Sequence, residues 1–101
     1  MDKKIAENSK VLIIDDQTLA KGYMKYALEE LGFEKIIYVE KVQEALAKIR
    51  SQRFDLVMCA YDIKKEHDGY FLYDELKSKQ ELSPSTAFIF ISADTSVDLV
   101  N

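Results

Sequence analysis

The chain has 101 residues, 48% of them hydrophobic and 32% charged, with a formal net charge of −4. That suffices for one small domain with a real core, and the acidic balance argues against a nucleic-acid surface, which needs clustered Lys and Arg. No apolar run approaches the roughly 20 residues of a membrane span, and the first residues lack the apolar stretch of a signal peptide. The single cysteine cannot form an internal disulfide, so a reducing cytoplasm is the expected setting.

Residues 1–9 read as a flexible lead-in to one domain over residues 10–101. Val11, Leu12, Ile13 and Ile14 form a short apolar run bounded by charge, predicting a strand buried on both faces. Ala20, Tyr23, Met24, Ala27, Leu28 and Leu31 recur at helical spacing, and Gly32 suits a left-handed C-cap. A second strand follows over residues 35–39. Val42, Ala45, Leu46 and Ile49 mark a second amphipathic helix. Residues 54–60 read as a third strand and 61–68 as a polar loop. Tyr70, Leu72, Tyr73 and Leu76 mark a third helix with Asp68 as its N-cap. Ser83-Pro84-Ser85 is a turn, and residues 87–91 are a fourth apolar strand. Thr95-Ser96-Val97-Asp98 has capping-box form and predicts the start of a further helix. The alternation of strands and helices implies an α/β fold, a doubly wound parallel sheet with right-handed crossovers, whose chemistry collects at the carboxyl ends of the strands.

Asp15 and Asp16 lie at such an end. Adjacent carboxylates repel, and a hard cation such as Mg²⁺ relieves them with one or two carboxylates plus carbonyls and waters. The alternative is an acidic helix N-terminus and nothing more. Where a third carboxylate would complete a site, at the end of the third strand, the chain reads Cys59-Ala60-Tyr61. Asp62, two positions on, competes for that role. Ser92, after the fourth strand, is placed to bond a phosphoryl oxygen or a carboxylate, or is a turn serine. His67 reads as a solvated loop residue, since one histidine is too few for zinc. Cys59 reads as an inert core thiol. Tyr23, Tyr26, Tyr70 and Tyr73 read mostly as packing residues. No Gly-rich phosphate loop, Cys-x-x-Cys or Ser/His/Asp set is present.

The runs Val11-Leu12-Ile13-Ile14-Asp15-Asp16, Phe54-Asp55-Leu56-Val57-Met58-Cys59, Asp68-Gly69 and Phe90-Ile91-Ser92-Ala93 together resemble the receiver domain of bacterial two-component response regulators. The resemblance covers nearly the whole chain from Lys10. It implies a flavodoxin-like, CheY-like sheet of order 2-1-3-4-5, Mg²⁺ binding, and phosphotransfer from a sensor histidine kinase to an aspartate. Asp15 and Asp16 match the family's acidic pair, with Asp16 the direct metal ligand. Ser92 matches the residue that contacts the phosphoryl group, and Asp62 would lend its backbone carbonyl to the metal. The acceptor position, counted from Asp55 or from Asp16, falls on Ala60, whereas counting back from Gly69 gives Tyr61, so the loop reads as one residue longer than the family's; at Ala60 a methyl has no nucleophilic oxygen. The family's fifth strand and last helix are expected to be missing, which would leave Ala87–Ile91 as an exposed edge prone to self-association.

Three functions follow from this reading. The first is a degenerate signalling receiver that acts as a regulatory protein-interaction module, with no catalytic residue and weak Mg²⁺ binding, partnered by a sensor kinase or another signalling protein. The second is an active phosphoacceptor that uses Asp62. The third is a free-standing interaction domain without signalling chemistry.

Overall fold

The computed structural model describes residues 3–61, 63, 68–91 and 97–100. In chain order the elements are α1 (Lys3–Asn8), β1 (Lys10–Ile14), α2 (Thr18–Glu30), β2 (Lys35–Val39), α3 (Val42–Ser51), β3 (Leu56–Ala60), α4 (Asp68–Ser78), β4 (Ala87–Ile91) and β5 (Val97–Val100). They build one five-stranded sheet of order β2-β1-β3-β4-β5, in which the first four strands are parallel. The first four strands and three of the helices therefore stand where the alternating pattern places them.

The central strand explains the layering. Val11, Leu12, Ile13 and Ile14 are all 0% exposed. Leu12 and Ile14 point into a cluster with Ala45 and Leu46 of α3, Leu72, Tyr73 and Leu76 of α4, and Phe88 and Phe90 of β4. Val11 and Ile13 point the other way, into a cluster with Ala6 of α1, Leu28 of α2 and Phe33. A strand with a period of two can lack polar positions only if both faces are covered, and here they are.

Helix α2 ends as its glycine requires. Gly32 has φ 100°, its N–H donates to the Glu29 carbonyl at 3.0 Å, and the Phe33 N–H donates to the Leu28 carbonyl at 3.0 Å. This is a Schellman ending, with Leu28 and Phe33 supplying its apolar contact.

Five expectations need correction. Where a flexible lead-in was expected, Lys3–Asn8 is helical, and Ala6 is fully buried against the sheet. Small and apolar, Ala6 fits close to β1, and that contact supports a helix too short to stand alone. Asp68 is the first residue of α4 rather than its cap.

The helix expected from Thr95 is not formed over residues 97–100, which are β5, antiparallel to β4, with Val97 opposite Ile91 and Val100 opposite Phe88. A turn and a half of helix is marginal in water, whereas the β4 edge offers a full ladder to Val97, Leu99 and Val100. Ala87–Ile91 is consequently not an edge, and the exposed-edge route to self-association falls with it. Finally, of the four tyrosines expected to pack, only Tyr73 is buried; Tyr23, Tyr26 and Tyr70 are 76%, 68% and 53% exposed.

Candidate functional site at the carboxyl ends of the strands

The ladder between β1 and β2 runs one residue past Ile14, because the Asp15 N–H donates to the Val39 carbonyl at 3.1 Å. That bond holds Asp15 at the sheet's carboxyl edge, where it is only 5% exposed. Its Oδ1 accepts the Gln17 N–H at 2.9 Å, an Asx-type turn that redirects the chain from strand into helix. The N-cap of α2 is Gln17, whose side chain makes no capping bond. Asp15 thus accepts a bond from the N–H of the capping residue, and the acidic pair stands directly before the N-terminus of α2. Asp16, next along, is partly exposed.

Ile14 pairs with Cys59 and Ala60 with Ile91, so Asp15 stands alongside the tip of β3. The Cys59 thiol registers this closeness. It is pushed up to about 12, first by burial and then by the negative charge of Asp15. Cys59 is a core thiol, as its place inside a strand implies.

Ala60 ends β3 and is 9% exposed. After it, the Tyr61 N–H donates to the Ile91 carbonyl at 3.2 Å, and the Gly69 N–H donates to the Tyr61 carbonyl at 3.2 Å. The first turn of α4 is thereby drawn onto the strand tip. The approach is so close that a Cβ at Gly69 would lie 1.9 Å from the Ala60 carbonyl oxygen. Only glycine leaves room there. The Tyr61 ring stacks on Phe90 with 4.6 Å between centroids, and Tyr70 stacks on the same ring at 5.6 Å.

The structure thus brings Asp15, Asp16 and Ala60 to one end of the sheet. Asp62, His67 and Ser92 lie outside the described residues, as do Lys64, Lys65, Glu66 and Thr95. Two features were missed by sequence reading: the contact of Gly69 with Ala60, and the aromatic stack on Phe90. Asp68-Gly69 was visible as a motif, but the reason for its glycine lies in a tertiary contact.

The donor set bears on metal. Two adjacent carboxylates at a turn suit a hard cation that keeps most of its waters, as Mg²⁺ does. Among the described residues no three of the types His, Cys, Asp and Glu gather into a metal cluster. Asp15 and Asp16 are of the chemical type that would hold such a cation, with water supplying the rest of its shell.

The chain is similar to known proteins in sequence and in fold. The family model described as "Response regulator receiver domain" matches residues 11–101. The chain is 34% identical over 86 residues to the transcriptional regulatory protein LytR of Staphylococcus aureus strain N315, covering 83% of this chain and 33% of that protein. It is 29% identical over 89 residues to a probable chemotaxis protein CheY of Rhizobium etli, covering 88% and 67%. Among solved structures, the MaeR response regulator bound to beryllium trifluoride superposes with a TM-score of 0.74 at 21% identity, covering 87% of this chain and 70% of that one. The chain spans about a third of the length of its LytR relatives. With the acidic pair at the end of β1, the parallel order of β2, β1, β3 and β4, and these matches agreeing, the chain belongs to the response regulator receiver domain family of two-component signalling.

Proposed function

We propose that this receiver domain signals without being phosphorylated in the ordinary way and acts as a regulatory protein-interaction module within a larger regulator. The observation that carries the reading is Ala60. It is the last residue of β3, shielded and beside Asp15, where the family resemblance puts the phosphoacceptor aspartate. A methyl group offers no oxygen to attack phosphorus, so aspartyl phosphate cannot form there. In this reading the domain has no catalytic residue and is not an enzyme.

Asp15 and Asp16, with the Asp62 backbone carbonyl, hold Mg²⁺ weakly, because one of three expected carboxylates is gone. Ser92 keeps the place of the phosphoryl-contacting hydroxyl. The partner is a sensor histidine kinase or another signalling protein, and the setting is the cytoplasm. No helix among the described residues is long and apolar enough to cross a membrane. The net charge of −4 gives this domain no surface for nucleic acid.

The test is incubation with acetyl phosphate and Mg²⁺, read by intact mass. No stable gain is expected. A residue two positions past Ala60 is offset by about 6–7 Å along an extended chain, too far for in-line attack at the same site unless the loop folds back. A gain of one phosphoryl group that disappears in Asp62→Ala would overturn the proposal and make Asp62 the acceptor.

A further inference from the structure

At the opposite edge of the sheet, where β3 and β4 begin, a serine sits on an arginine fork. Ser85 is exposed at the tip of the turn between α4 and β4. The turn is closed by the Thr86 N–H donating to the Ser83 carbonyl at 3.0 Å. Its base is anchored by the buried Thr86 hydroxyl, which donates to the Phe54 carbonyl. Arg53, from the segment entering β3, turns its Nε–Nη2 edge onto the Ser85 hydroxyl, donating at 3.3 and 2.8 Å. The Ser83 hydroxyl lies 2.9 Å from that of Ser85.

The remaining arm of Arg53 is used elsewhere. Its Nη1 lies 2.9 Å from Asp55 Oδ1. Asp55 in turn ties three strands at this edge. Its Oδ2 accepts the Lys10 N–H at 2.8 Å, its N–H donates to the Lys10 carbonyl, and its carbonyl accepts the Ala87 N–H. The neighbouring Arg50 is committed to Glu81 through two bonds of 2.7 and 2.9 Å.

We propose that Ser85 is a phosphorylation site whose phosphoryl group is held by the Nε–Nη2 edge of Arg53 and by the Ser83 hydroxyl. A neutral hydroxyl uses little of a guanidinium fork, which fits an oxyanion through two parallel charge-assisted bonds. The donors already lie beside Ser85 Oγ, so a turn of the serine side chain brings the non-bridging phosphoryl oxygens to the same fork. The two edges of the guanidinium are separate, so phosphoserine can be bound while Asp55 keeps Nη1. The modification would fasten the β4 turn to β3 through Arg53, at an end of the domain remote from Asp15 and Asp16. The reaction is a transfer from a nucleoside triphosphate by a Ser/Thr kinase. Ser85 Oγ attacks the γ-phosphorus, the new O–P bond forms, the bond to the diphosphate leaving group breaks, and the hydroxyl proton passes to the kinase base. This inference does not depend on the acceptor status of Ala60.

Two measurements test it. First, phosphoserine is installed at position 85 during translation and thermal unfolding is followed near neutral pH. The melting temperature is expected to rise by about 4–8 °C. The rise should be lost when Arg53→Gln is added, and the Arg53 Nε–H resonance should shift on phosphorylation. An unchanged or lowered melting temperature with an unmoved Arg53 resonance overturns the cradle. Second, the unmodified chain is incubated with ATP, Mg²⁺ and the catalytic domain of a bacterial Ser/Thr kinase, and the product is mapped by peptide mass. Transfer to Ser85, absent in Ser85→Ala, supports the site; transfer to Ser83 instead, or no transfer, overturns it.

Discussion

Replacing Gly69 by alanine probes the contact that sets the tip of β3. The added Cβ would sit 1.9 Å from the Ala60 carbonyl oxygen and 3.0 Å from both the Ala60 carbonyl carbon and Cys59 Sγ. An ordinary carbon–oxygen contact is about 3.3–3.6 Å, so helix and strand tip must part by about 1.4 Å or more. Neither side yields freely. Ala60 is paired with Ile91 in the ladder, and the Tyr61 and Gly69 N–H bonds tie the segment to both β4 and α4. Overpacking of this kind costs about 1–3 kcal/mol, occasionally more. Alanine returns at most about 1 kcal/mol of helix propensity. The expected outcome is a net loss of about 2 kcal/mol. With a urea slope of about 1–3 kcal/mol/M, the unfolding midpoint should fall by about 0.7–2 M. Gly22→Ala is the control, because a Cβ there meets nothing within 4 Å. That variant, inside α2, should gain about 0.5–1 kcal/mol. A Gly69→Ala midpoint equal to or above the parent's would refute the close approach of α4 to Ala60, and with it the placement of the strand tip.

Other consequences are open to measurement. Ala60→Asp puts a third carboxylate beside Asp15 at a shielded position; it should tighten Mg²⁺ binding in an NMR titration and lower stability without metal, and an unchanged affinity would show that position 60 is outside the site. The Glu81 carboxyl is held below its ordinary range, chiefly by the hydrogen bonds from Arg50. The stabilisation from this pair is present above the unfolded glutamate value and is lost as pH falls through the lowered one, so Arg50→Gln should flatten the drop in stability as pH falls below the ordinary glutamate range; an unaltered acid profile would count against the pair. With its thiol raised to about 12 and fully buried, Cys59 should react with iodoacetamide only as fast as the protein opens. Rapid labelling of the native chain, at a rate near that in urea, would contradict its burial.

The parallel layers were legible because their signals are local. An unbroken apolar run such as residues 11–14, flanked by charge, has few ways to satisfy a period of two other than burial on both faces. Gly32 at the end of a helical stripe and the acidic pair directly after a strand are likewise short-range signals. Exposure of the tyrosines was less legible. Tyr23 and Tyr26 lie three residues apart, a spacing that fits a buried stripe or a solvent-facing one equally, and only the position of α2 over Val11 and Ile13 decides between them. Ala6 has the same character, since nothing in residues 1–9 announces that a single small side chain docks on the sheet.

The fate of residues 97–100 shows why local signals can lose. The capping pattern from Thr95 favours a helix, and Val97, Leu99 and Val100 favour a strand. Neither preference is large for so short a segment. What separates them is β4. Without a neighbour, the strand from Ala87 to Ile91 would present a row of unpaired backbone groups, and each bond of a ladder there satisfies two of them. The segment reaches that row by doubling back, which makes its pairing antiparallel, with Ile91 opposite Val97. A parallel partner would need a crossover of a dozen or more residues, far more than lie between Ile91 and Val97. The antiparallel hand of β5 therefore follows from the length of the connection, and the choice of strand over helix follows from an edge that only the assembled sheet creates.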